Sequence, residues 1–130
     1  MIKTNFPRKV IKILSIAGSD NSAGAGIQGD LKTIQALGGY CSTAITTVTC
    51  QNSKKVYKTY NIPKSLIMSQ VKTIFNDFGF DAVKIGIIPT LTIAESLFSF
   101  FKKIKVPIIV DPIYRSSSGE KFISKKEFVK

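Results

Sequence analysis

The sequence predicts an α/β fold: a mostly parallel sheet with helices on both faces, in three αβα layers. Two observations carry this. Short strand-like runs alternate with stretches of helical period, and those runs are apolar along most of their length. A sheet with one wet face would alternate apolar and polar residues, whereas a parallel sheet buried on both faces would not.

Residues 10–16 read as the first buried strand, bounded by Gly18. Ile27, Leu31 and Ile34 then share one helical face, and the Gly38–Gly39 pair stops that helix. Residues 42–49 (STAITTVT) are rich in β-branched residues and predict a second buried strand. Residues 56–62 lack clean alternation and predict a short edge strand or extended segment. Pro63 suits the first turn of a helix whose stripe is Ile67, Val71, Ile74, Phe75 and Phe78, ended by Gly79. Residues 81–88 (DAVKIGII) predict a third core strand. A further helix carries Ile93, Leu97, Phe100, Phe101 and Ile104, and residues 106–110 predict another core strand, ending at Asp111 and Pro112. Residues 114–119 read as a polar loop, and Ser124 suits the cap of a helix that begins as the alternation breaks off. Residues 1–9 are taken as an N-terminal extension and residues 10–130 as the N-terminal portion of a single domain, incomplete at its C-terminus.

A chain of 130 residues has room for one domain or part of a larger one, and 44% hydrophobic with 21% charged residues is the composition of a core former. Cys41 and Cys50 flank one apolar run, too few thiols for a disulfide framework, and predict buried, reduced thiols in a cytoplasmic protein. No apolar stretch approaches the roughly 18 residues of a membrane span. The net charge is +11, yet only Arg8 and Arg115 among the nineteen basic residues are arginines. Lysines scattered in ones and twos predict solvated faces rather than a nucleic-acid surface, which favours the forked guanidinium. Histidine is absent, which excludes Ser-His and Cys-His nucleophilic pairs and imidazole-based zinc sites.

Residues 17–32, AGSDNSAGAGIQGDLK, lie at a strand-to-helix junction, where glycines let a ligand approach the backbone and helix amides attract acceptor atoms. Gly24 to Gly29 satisfy the dinucleotide pattern GxGxxG. However, six residues separate Gly24 from Ala17, and the second strand ends in Cys50-Gln51-Asn52 with no acidic residue for a ribose. No Gly-Lys-Ser/Thr occurs, so a P-loop is excluded. Glycines that merely permit a tight turn would not need Ser19, Asp20, Asn21, Ser22, Gln28 and Asp30 around them. Polar or special residues also gather at the other strand ends (Gln51–Asn52, Lys84–Gly86 and Asp111), which is where open parallel sheets bind ligands.

Four blocks in order carry a resemblance: AGSDNSAGAGIQGDLK, CQN, KIG, and VDP with the following Ser118-Gly119. Over residues 10–123 the chain resembles the hydroxymethylpyrimidine/phosphomethylpyrimidine kinases of thiamine biosynthesis, which have the ribokinase-like fold. The resemblance implies transfer of the ATP γ-phosphate to the pyrimidine hydroxymethyl group and then to the monophosphate, with Mg2+ as cofactor. Substrate-binding positions carried over are Gly18, Asp20, Ala25, Asp30, Gln51 and Ile87. Gln51 would hydrogen-bond the amino-pyrimidine edge, since an amide donates and accepts together. Ile87 stands where the family commonly has Met, packing on the ring. Lys84 and Asp111 fall on the nucleotide and phosphate side, with Asp111 as a magnesium ligand, as a hard cation prefers oxygen.

Three positions depart from the family pattern. Asn21 stands for its usual Pro, Ala23 for Gly and Gly29 for Ala. A positive φ at residue 23 would strain Ala23, and Gly29 inside a helix costs on the order of 1 kcal/mol relative to Ala. The family's Asn-x-x-Glu element and its glycine-rich anion hole with a Cys or Asp base have no counterpart, so the site holds no catalytic base and the chain alone is expected not to turn over ATP. The expected partners are therefore hydroxymethylpyrimidine and its phosphate, with a homo-oligomer or a complementing C-terminal fragment covering exposed core strands. The alternatives are a pyridoxal/pyridoxamine kinase-like fragment, a non-catalytic pyrimidine-binding module and, last, a basic nucleic-acid-associated domain.

Overall fold

The computed structural model describes residues 9–111. The predicted loop at 114–119, the Ser124 cap, Pro112 and Ser118-Gly119 lie outside the described residues, as do residues 1–8. The elements are β1 (Lys12–Ser19), α1 (Gly26–Ala36), β2 (Tyr40–Gln51), β3 (Val56–Asn61), α2 (Lys64–Asp77), β4 (Ala82–Ile85), α3 (Leu91–Phe101) and β5 (Ile108–Val110).

The five strands form one sheet in the order β3-β2-β1-β4-β5. All neighbours are parallel except β2 and β3, which form an antiparallel pair. Each helix packs one apolar stripe. Ile67 and Val71 of α2 and Ile93, Leu97 and Phe101 of α3 meet Leu14, Ile16, Ala44, Val83 and Ile85 in one core. Side chains alternate across a strand, so Ser15 and Lys84 point to the other face, where the Ser15 hydroxyl meets Asp30 of α1. The three αβα layers are those that the alternation predicts.

The strands differ from their expected bounds for reasons of pairing. β1 runs three residues further, to Ser19, because a register shift at Ala17/Gly18 lets Gly18 and Ser19 pair with Thr47 and Val48 of the long β2. β4 is shorter, because its ladder with β5 ends at Ile85↔Val110. Residues 106–110 were expected as a core strand, yet in β5 Ile109 and Val110 are 64% and 58% exposed. Here β5 is the edge of the sheet, and among the described residues nothing covers its α1 side. The α1 stripe is likewise narrower than its period predicts. Ile27 is buried but Leu31 is exposed, because α1 packs mainly on β1 and β2 and meets Lys84 of β4 through the charged Asp30. The thiols are free, as expected, but only Cys41 is half-buried, while Cys50 is exposed at the end of β2.

The topology places the site. From β1 the chain passes through α1 to β2 on one side, then returns through α2 to β4 on the other side of β1. Connections that leave in opposite directions open a crevice beyond the carboxyl ends of adjacent strands. That crevice lies between the ends of β1 and β4. No helix of the described residues is long and apolar enough to cross a membrane.

Candidate functional site at the carboxyl ends of the strands

The loop between β1 and α1 is built around Asp20, which is only 4% exposed. Its Oδ1 accepts from the Ser22 amide (2.8 Å) and Ser22 Oγ (2.6 Å), and its Oδ2 from the amides of Gly24 (3.0 Å) and Ala25 (2.9 Å). Burial works to raise the Asp20 pKa, but the donors from Ser22, Ala25 and Gly24 together outweigh it and hold the carboxyl below its ordinary value. A carboxylate filled by four donors has little left for a ligand. Asp20 thus shapes the loop, where the sequence suggests a substrate contact.

Gln28 clamps the same turn from the helix side. Its Oε1 accepts from the Asp20 amide at 2.8 Å, and its Nε2 donates to Ser19 Oγ at 2.8 Å. The turn is tight enough that Gly26, at φ 56°, has no room for a Cβ beside the Gly18 carbonyl. Ala23 does adopt a positive φ of 59°, the condition under which its place in the motif strains it.

The other strand ends are drawn to this loop. Asn21 Oδ1 accepts the Gln51 amide at 2.7 Å, fixing the end of β2 beside the loop. Among the described residues nothing hydrogen-bonds the Gln51 side chain, which is left half-exposed with both its donor and its acceptor free. Thr49 Oγ1 donates to the Ser19 carbonyl (2.8 Å) and Thr46 Oγ1 to the Ile87 carbonyl (2.7 Å). Ile87 packs toward Gly18, its Cδ1 lying 3.5 Å from where a Gly18 Cβ would stand. These contacts bring Gly18, Ala25, Gln51 and Ile87 to the carboxyl-end side of β1, β2 and β4.

Charge lies beneath this crevice. Asp30 Oδ2 accepts from Ser15 Oγ at 2.6 Å and from Lys84 Nζ at 3.0 Å, and the Lys84 ammonium is also 3.9 Å from Asp111 Oδ2. Side-chain exposures of 18% for Asp30 and 21% for Lys84 make this a sheltered pair, whereas Asp111 is 57% exposed. Lys84, expected on the phosphate side, stands between the two carboxylates. Among the described residues no group of three or more His, Cys, Asp or Glu side chains could hold a metal by itself. Asp111 still fits one ligand position, because Mg2+ is commonly held by one or two carboxylates together with substrate phosphates.

Ser15, Thr46 and Thr49 also hold the site together, although the sequence gives them no site role, whereas Asn21 and Gln28 belong to the polar loop that it marks. One signal was present: Ser15 is a hydroxyl between the apolar Leu14 and Ile16.

The family model of phosphomethylpyrimidine kinases matches residues 20–130. The chain belongs to the phosphomethylpyrimidine kinase family. A hydroxymethylpyrimidine/phosphomethylpyrimidine kinase of Aquifex aeolicus is 42% identical over 120 residues, covering 90% of this chain and 47% of that protein. A chloroplastic thiamine biosynthetic bifunctional enzyme of Arabidopsis thaliana is 43% identical, covering 92% of this chain and 23% of the relative. The crystal structure of a phosphomethylpyrimidine kinase from Clostridium difficile superposes with a TM-score of 0.81 at 39% identity, over 92% of this chain and 52% of that one. A Staphylococcus aureus pyridoxal kinase in complex with AMP-PCP and pyridoxal is less similar, with a TM-score of 0.72 and 33% identity over 80% of this chain and 40% of the other. This phosphomethylpyrimidine kinase family chain thus spans about half or less of the length of these relatives.

Proposed function

We propose that the chain is the acceptor-binding half of a kinase that phosphorylates 4-amino-5-hydroxymethyl-2-methylpyrimidine and its monophosphate in thiamine biosynthesis. The observation that carries this reading is the crevice between β1 and β4. Its loop is held in shape by Asp20 and Gln28, and the Gln51 side-chain amide beside it has no partner among the described residues. A loop fixed by its own hydrogen bonds, with an amide side chain beside it, suits a flat heterocycle that offers a donor and an acceptor side by side.

In this reading Gln51 pairs with the amino-pyrimidine edge, Gly18 and Ala25 admit the ring close to the backbone, and Ile87 packs on its face. Asp30 supplies a carboxylate acceptor for a ring donor. MgATP is the phosphoryl donor, and Asp111 would hold Mg2+, whose charge offsets that of the phosphates. Donor-side groups would come from the part of the family's length that this chain does not span, about half of the bacterial relatives.

Calorimetric titration of the chain with hydroxymethylpyrimidine tests this. Binding is expected, and Gln51→Ala or Asp30→Ala should each weaken it about tenfold or more. The chain alone is expected to bind the acceptor without turning over ATP, and turnover by it would overturn the acceptor-half assignment. Preference for pyridoxal in the same titration, or salt-sensitive DNA binding indifferent to both substitutions, would overturn the acceptor assignment.

A further inference from the structure

Seventeen lysines make the chain basic, and in most places a lysine here needs only solvent. Lys84 is different. It sits within β4, on the α1 side of the sheet, with its side chain 21% exposed. A sheltered ammonium must be paired, and it contacts Asp30 Oδ2 at 3.0 Å and Asp111 Oδ2 at 3.9 Å. The backbone makes room for it. A Cβ on Gly86 would stand 3.1 Å from Lys84 Nζ and 3.1 Å from the Ala17 Cβ, so glycine two residues on lets the ammonium fold back over β1.

The geometry points to Lys84 as a positioning residue of the acceptor pocket: it acts through Asp30, fixing and neutralising that carboxylate, and does not serve as an anion-binding lysine for phosphate. Ser15 Oγ and Lys84 Nζ both take the same oxygen, Oδ2, which turns the carboxylate and leaves Oδ1 without a protein partner among the described residues. One oxygen is anchored and the other is left open to a further donor. The nearby Asp111 gives the ammonium a second carboxylate, so its charge is already shared before any phosphate arrives. This rests on the acceptor-site reading of Asp30, and it is testable apart from that reading.

Cys41 is a built-in reporter. Burial raises its thiol pKa and the Asp30 charge raises it further, while a backbone hydrogen bond involving Ser15 opposes them. In a Cys50→Ser background, where Cys41 is the sole thiol, alkylation rate at fixed pH follows the thiolate fraction. Lys84→Met should bare the Asp30 charge and slow Cys41 alkylation several-fold, and Asp30→Asn should speed it. In the Asp30→Asn background Lys84→Met should make no difference, which is the coupling expected of one residue acting through another.

Loss of local structure would instead expose Cys41 and speed the reaction, so faster alkylation in Lys84→Met overturns the inference, as does an unchanged rate. A titration with inorganic phosphate adds a second arm. Phosphate binding that Lys84→Met abolishes would make Lys84 an anion site and overturn the inference, while phosphate binding indifferent to the substitution supports it. Failure of wild-type chain to bind hydroxymethylpyrimidine overturns the proposed function and leaves the alkylation result standing on its own. If it binds, Lys84→Met should weaken binding about tenfold while Asp30→Asn/Lys84→Met is no weaker than Asp30→Asn. Additive losses in that pair would overturn the inference.

Discussion

Gly26 packs against Gly18 so closely that a Cβ on residue 26 would overlap the Gly18 carbonyl oxygen. This contact joins the end of β1 to the start of α1. Gly26→Ala meets both this overlap and a φ of 56°, so the chain should lose about 2 kcal/mol or more of stability, since the left-handed conformation alone costs roughly 1–2 kcal/mol. Gly29 in the same motif has no such constraint. Its Cβ would meet the Gly24 carbonyl oxygen at an ordinary 3.6 Å, inside a helix. Gly29→Ala should stabilise by about 0.5–1 kcal/mol. Urea unfolding of the two variants checks the contrast, and destabilisation by both would mean that the helix start is tighter than its spacing indicates.

Ala23 is the one non-glycine with positive φ among the described residues, at 59°. Its amide donates to the Asp20 carbonyl at 2.9 Å and its carbonyl accepts from Lys32 Nζ at 2.5 Å, so the turn is held from both sides. Ala23→Gly removes the steric cost but gives the unfolded chain more freedom. The net expectation is a gain of about 0.5–1 kcal/mol in the urea midpoint analysis, with binding of the pyrimidine unchanged. A loss of stability would show that the Ala23 methyl makes a contact worth more than the strain.

How far the sequence reveals this molecule depends on the kind of interaction. The apolar runs disclose β1, β2 and β4 and the stripes of α2 and α3, because burial leaves a periodic trace in residue type. Gly18, Gln51 and Asp111 stand out as strand-end positions, because polar and special residues cluster there, whereas Ile87 stands out only through the family resemblance. What is hidden is the pairing of side chains distant in sequence. Nothing local says that Ser15 and Lys84, far apart along the chain, take the same oxygen of Asp30. Nor does spacing show that Asp20 turns inward to its own loop, whereas Asp30 turns to the sheet. The exposed β5 misleads for another reason: Ile108, Ile109 and Val110 have strand-core composition, but burial needs neighbours that no residue type can report.

The Asp20 carboxyl ties loop stability to pH. Its pKa is lowered from the ordinary 3.8, so the folded chain holds the carboxylate more firmly than the unfolded chain. A depressed carboxyl adds stability that is complete above the unfolded value and is lost as pH falls through the folded one. Asp20→Asn replaces one acceptor oxygen by an NH2 group facing backbone N–H donors, and should cost on the order of 2 kcal/mol at neutral pH. The gap between wild type and Asp20→Asn, from unfolding free energies at a series of pH values, should narrow below about pH 4. A gap that stays constant into acid would mean that the carboxylate charge contributes nothing to the loop.

Ile87 separates pocket from scaffold within a single residue. Its carbonyl accepts Thr46 Oγ1 at 2.7 Å, which ties the segment after β4 to β2, and that tie does not depend on the side chain. The side chain is half-buried and reaches toward Gly18, across the crevice mouth. Ile87→Ala keeps the tie and removes the apolar face offered to a ring. Because the side chain is only half-buried, unfolding should cost about 1–2 kcal/mol, below the 2–5 kcal/mol of a fully buried isoleucine. Pyrimidine affinity should fall about tenfold while Ile87→Met, which keeps a long apolar side chain, retains it. Calorimetry and urea unfolding on the same preparations separate the two effects. If affinity falls only in step with stability, Ile87 is part of the scaffold and the ring face is supplied elsewhere.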